Sequence, residues 1–256
     1  MTLDAALLLT FLLVFCRCSA LLLTSPVLGG QSTPVHIRVL VCLTLSAAMT
    51  AHLNGHIGEL PTNVPELLMA VFREVGFGLL IGGLVQLVFQ GVMMAGSIVD
   101  LQMGLGISQA MNPVTGVPVS VIAQFKYFLC LVLFFLANGH HTMLHAFMAS
   151  YSVTADASGF TFGSALQGVL MLLGQVSLLA IQVALPVLAV TIIVDAAFGV
   201  MNKAVPTMQV MLMGIPAKVI LGLTALAIGL PMMVAYTQTG TSMLFGALEE
   251  VFAGVK

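Results

Sequence analysis

His141 and His145 stand four residues apart, a spacing that puts both imidazoles on one face of a helix and could grip a metal ion. A zinc hydrolase would add the glutamate of an HExxH motif, which is missing. A histidine-box oxygenase would need several such clusters, and apart from His140 only His36, His52 and His56 remain. No metal is expected, and these histidines read as interfacial caps of a segment. Cys16, Cys18, Cys42 and Cys130 lie inside apolar runs without metal-ligand spacing, so they read as small core residues. The chain carries no nucleophile elbow, no Walker loop and no dinucleotide fingerprint in its strand context. We expect neither an enzyme nor a cofactor.

The other chemically distinctive residues are polar groups set in apolar sequence. Arg17 lies near the middle of a run from Ala5 to Leu28, where insertion scales cost an arginine at roughly 2.5–3.5 kcal/mol. One reading gives it a carboxylate partner or a wet interface inside an oligomer; the other lets it snorkel to the membrane surface. Its distance from both ends of the run favours the first. Glu74, Gly78, Gly82, Gln86 and Gln90 recur at four-residue intervals and form one stripe of small and polar side chains. Such a stripe suits a seam between subunits or packing within one.

Two stretches are punctuated by glycine and proline. The first runs from Ala95 to Gly106 and on through Met111-Asn112-Pro113 and Gly116-Val117-Pro118. That density predicts irregular backbone, which membrane depth tolerates only where protein buries it or water reaches it. Asp100, Gln102, Met103, Gly104, Gly106, Met111 and Pro113 are therefore candidates for a pore-lining or plugging loop, against the plainer reading of an exposed connection. The second stretch runs from Asn202 to Lys218, and Asp195 just before it could compensate Lys203. Methionines flank both, including Met103, Met111, Met201 and Met213, and suit gap-filling or a flexible seal.

Elements long enough to position these groups follow from composition. Of 256 residues 60% are hydrophobic and 6% charged, against about 25% charged in an ordinary soluble domain. A single membrane-embedded domain over residues 1–256 is expected, with lipid as its solvent. Six hydrophobic helical segments are predicted: Ala5 to Leu28, Val39 to Leu53, Leu67 to Met94, Val121 to Ala137, Leu166 to Val200 and Ala217 to Tyr236. The third and fifth would reach about 42 and 52 Å against a hydrocarbon core of about 30 Å, so they must tilt, kink or project. Pro186 supplies a kink site in the fifth. Arg38, Lys126, Lys203 and Lys218 gather on one side of this topology, which predicts periplasmic termini. Asp4 and not a basic patch precedes the first run, so no cleaved leader is expected. A net charge of −2 without a basic cluster gives no reason to expect nucleic acid.

The stretch from Asp195 to Lys218 resembles the late signature of the FliR family, export-gate subunits of the flagellar type III secretion apparatus, and of its virulence counterparts. Gly199, Pro206, Gly214, Pro216 and Lys218 fit that pattern. Lys203, Thr207, Gln209 and Met211 depart from it, standing where arginine, glutamine, asparagine and phenylalanine are usual. Lysine at 203 gives up bidentate pairing. Asp100-Leu101-Gln102-Met103-Gly104 is similar to the family's Asp-x-Gln-x-Gly. Gly139-His140-His141, Arg17 with Pro26, and Glu74 with Gly78 also match, so the resemblance covers essentially the whole chain.

It implies an all-α membrane protein whose helical hairpins join FliP-like and FliQ-like subunits, and other export components, in a gate at the flagellar basal body in the bacterial inner membrane. Unfolded flagellar proteins would pass through, and Asp100 to Pro113 would be the plug. Arg17, Glu74, Gly78, Gly82, Gln86, Gln90, Asp195, Lys203, Pro206, Gln209, Gly214, Pro216 and Lys218 are the candidates for subunit contact. The rival is a small homo-oligomeric transporter or ion channel with Asp100, Arg17 and Asp195 near a midplane site.

Overall fold

Unbroken apolar sequence satisfies its backbone internally by winding into helix, and helix is what the computed structural model contains. It describes residues 5–26, 28–30, 33–53, 61, 63–105, 120–155, 162–204 and 210–253. Among these, eight helices follow in order: α1 Ala5–Thr24, α2 Val35–Leu53, α3 Val64–Met103, α4 Val121–Leu136, α5 Gly139–Ala155, α6 Phe162–Ala204, α7 Val210–Ile228 and α8 Leu230–Ala253. Four of them, α1, α2, α3 and α6, are each long and apolar enough to cross a membrane. The α4–α5 and α7–α8 pairs pass the same test together, each across a short break, which makes up to six spans if each pair counts once.

Four features correct the sequence reading. Helix α3 does not end at Met94 but continues through Ala95 and Asp100 to Met103. Gly96 is a contact residue there: a Cβ at that position would run into the backbone of Ala123 on α4. A glycine that breaks an isolated helix permits close approach in a packed one. The stop comes at Gly104, whose φ of 80° suits glycine. Gly104 N–H bonds to Leu101 O at 3.2 Å and Leu105 N–H to Asp100 O at 3.1 Å, the paired bonds of a Schellman motif.

The histidine stretch is not a cap but helix α5, set off from α4 by Asn138 at φ 56°. In the last third, Gly214 to Lys218 are helical, with Pro216 inside α7, while residues 205–209 lie outside the described residues. The segment predicted from Ala217 to Tyr236 is broken at Gly229. Pro231 has no N–H to continue α7, and at the second position of α8 none is needed.

The chain divides into two compact units, each assembled from separate stretches. Unit 1 comprises Met1–Leu87, Asn138–Leu173 and Ser242–Lys256; unit 2 comprises Val88–Ala137 and Gly174–Thr241. In unit 1, α3 lies tightly on α1. A Cβ on Gly78 would come 2.7 Å from the Ala20 methyl, and one on Gly82 would meet Thr24 and the Leu21 carbonyl. In unit 2, Ala95, Val99 and Met103 of α3 pack with Ile122 of α4, Ala180, Ala184 and Val187 of α6 and Ala225 of α7. Phe89 meets Phe134 edge-on with ring centroids 5.4 Å apart, and Tyr236 O–H donates to Val88 O at 2.9 Å.

Candidate functional site

Among the described residues, both units hold charged side chains in contact with one another. In unit 1, Arg17 of α1 is fully buried and its guanidinium grips Glu74 of α3 with both prongs, Nε to Oε2 at 2.6 Å and Nη2 to Oε1 at 2.9 Å. The remaining nitrogen, Nη1, donates to Ser150 Oγ of α5 at 2.7 Å, and Ser150 O–H donates to Phe147 O at 2.6 Å. The cation also lies 3.9 Å from the Tyr151 ring centroid and 5.1 Å from that of Phe77. Planarity, bidentate geometry and ring contact are what an arginine offers and a lysine does not. Gly78, one turn after Glu74, lets α3 approach close enough for this grip.

These contacts correct the assignment of Arg17 and Glu74 to a subunit seam, because the offsetting charge is in the same chain. Gly78 and Gly82 likewise face α1. Of the stripe, Gln86 is half-buried and Gln90 exposed, so its far end alone faces outward.

Unit 2 arranges its charges differently. Asp100, buried on the last turn of α3, is helical and not part of a loop. Its Oδ2 accepts from the Ser120 hydroxyl and from the Ile122 N–H, the latter at 3.2 Å. Ser120 caps α4, its Oγ accepting the Ala123 N–H at 3.0 Å. A carboxylate at a helix N-terminus is favoured by the unsatisfied amides and dipole there. Asp100 thereby joins the end of α3 to the start of α4. Gln102 and Met103 are also helical: Gln102 donates to Asp195 Oδ2 at 3.4 Å, and Met103 is fully buried in the unit 2 core. Of the proposed plug, Gly104 is the helix stop, and Gly106, Met111 and Pro113 lie outside the described residues.

Asp195 of α6 forms its ion pair with Lys218 of α7, not with Lys203 as expected, and its side chain remains 45% exposed. Lys203 is exposed in the last turn of α6, where a cation complements the dipole. Gly214 and Pro216 sit on α7, Gly214 beside the Phe198 ring, and Pro206 and Gln209 lie outside the described residues. The His140 and His141 rings lie with centroids 4.2 Å apart, tilted by 40°, at the start of α5.

Sequence reading missed Ser150 and Tyr151 as partners of Arg17, Ser120 as partner of Asp100, and the burial of Lys126. Lys126 served there only to orient a segment, yet it is 3% exposed, and its Nζ has no hydrogen-bond partner among the described residues. A basic residue in the first turns of an apolar helix was the available signal.

A sequence model of the family described as "Bacterial export proteins, family 1" matches residues 8–244. The chain is 29% identical over 218 residues to "Flagellar biosynthetic protein FliR" of Caulobacter vibrioides, covering 85% of this chain and 87% of that one. It is 28% identical over 220 residues to the protein of the same name from Bacillus subtilis, covering 82% and 81%. "Surface presentation of antigens protein SpaR" of Shigella flexneri is 26% identical over 210 residues, covering 82% and 80%. With the match running through both units and both charge constellations, this chain belongs to family 1 of the bacterial export proteins.

Proposed function

We propose that this chain is a structural, pore-forming subunit of the flagellar type III export gate, working without catalysis in the bacterial inner membrane at the basal body. It joins FliP-like and FliQ-like subunits to pass unfolded flagellar proteins out of the cytoplasm. The observation that carries this reading is helix length. Helices α3 and α6 have 40 and 43 residues. They extend about 60 Å or more, twice the hydrocarbon core. Apolar side chains stay exposed along them, among them Phe72 at 74%, Leu101 at 76% and Ile193 at 68%. An outward carboxylate at Asp195 and amide at Gln90 on the same helices suit neighbouring protein better than lipid. The names of the relatives favour the flagellar branch.

The segment from Gly104 to Gly116 is the part we assign to closing the pore. Shortening it should leave the membrane leaky to small ions while FliP-like and FliQ-like partners still co-purify. Unchanged conductance with those partners bound would sink the assignment. A purified homo-oligomer that moves a solute on its own would instead establish the rival transporter.

A further inference from the structure

The start of α4 is held by a carboxylate whose bonding is half complete. Asp100 Oδ2 serves Ser120 and the Ile122 N–H, while Oδ1 is buried without a hydrogen-bond partner among the described residues. Lys126 Nζ is equally buried and equally without one, and both residues are 3% exposed. Lys126 follows Ile122 by four positions and so shares its face of α4. Helix side chains lean toward the N-terminus, the end of α4 that Asp100 holds. Among the described residues, a buried acceptor and a buried donor of opposite charge are thus left open around the first turns of α4, and each is costly alone.

We propose that the α3–α4 junction is a two-position latch. In one position Asp100 clasps the N-terminus of α4, as the structure has it. In the other it swings to pair with Lys126 and releases the Ile122 amide and the Ser120 hydroxyl. The inference deepens the pore-subunit reading and rests on it for its use, since a latch between two wall helices matters only if the wall moves. A competing arrangement is available from the same residues. Lys126 borders a small cavity lined by Phe125, Pro186, Leu226, Gly229 and Met233, with room for about one water. A water there that linked Lys126 to Asp100 would make the lysine a support of the clasp and not its competitor.

The two arrangements predict opposite signs, readable by hydrogen exchange of the full chain purified in detergent with its co-purifying membrane partners. With a latch, Lys126→Met slows exchange at Ile122 by about fivefold, because the alternative partner is gone. Ser120→Ala speeds it by about fivefold, the usual scale of a lost cap. Lys126→Arg stays near wild type. Unchanged or faster exchange in Lys126→Met overturns the latch. Should that variant fail to accumulate, the reactivity of the Lys126 amine toward reductive methylation decides in a protein that keeps it. Ser120→Ala should lower that reactivity, and equal or higher reactivity overturns the proposal. Neither readout involves transport, so its failure leaves the pore reading standing. Normal conductance after shortening Gly104 to Gly116 would sink the pore reading without altering either one.

Discussion

The Arg17–Glu74 constellation of unit 1 and the Asp195–Lys218 pair of unit 2 are both ion pairs between helices, and they have opposite solvation. In the first, the arginine is 0% and the glutamate side chain 6% exposed, and each guanidinium nitrogen has a partner in the same chain. In the second, Lys218 is 20% and Asp195 45% exposed, and among the described residues the aspartate adds one long bond from Gln102. A closed pair is a fastening. An open pair on an apolar surface retains capacity for another polar group, which is what a contact between subunits requires.

The largest expected effect tests the closed site. Arg17→Ala should leave Glu74 buried and uncompensated and cost about 3–5 kcal/mol, seen as loss of chain from the membrane and a lower Tm of what remains. Replacing both residues together, Arg17→Met with Glu74→Leu, should cost less than either truncation alone, since no orphan charge is left. If Arg17→Ala accumulates normally and fails only to retain its partners, the fastening assignment is wrong. A middle effect tests packing in unit 2. Gly96→Val would force α3 off α4 at Ala123, and an overpacked contact of this type costs about 1–3 kcal/mol in thermal stability. A neutral result would mean that the two helices are less close than described. The smallest effect on stability belongs to the open pair. Asp195→Asn should shift stability by about 0–1 kcal/mol while weakening co-purification of the membrane partners. A loss as large as that of Arg17→Ala would erase the contrast between the two sites.

Some of this was legible in the residues and some was not, for reasons that differ from place to place. The cost of Arg17 could be read from its position in an apolar run, and a buried carboxylate could be anticipated. That the carboxylate is Glu74, 57 residues away, depends on how α1 packs on α3. The four-residue stripe was visible, but whether Gly78 and Gly82 met their own chain or another was not, because small residues serve both contacts alike. The stretch from Ala95 to Met103 was misread because glycine was weighed by its propensity. Tertiary contact with Ala123 gives Gly96 a packing role that propensity does not describe. Lys126 was treated as a charge near water, and its burial is a property of the helices around it.

By itself the sequence determined the solvent, the all-helical class and the presence of costly polar groups, because apolar runs of this length must satisfy their own backbone in a membrane. It also determined the family, through residues spread along the whole chain. The tertiary structure alone decided which of those polar groups are closed and which stay open. Pairing depends on atoms from helices far apart in sequence meeting within hydrogen-bond distance, and a local pattern carries no information about that approach.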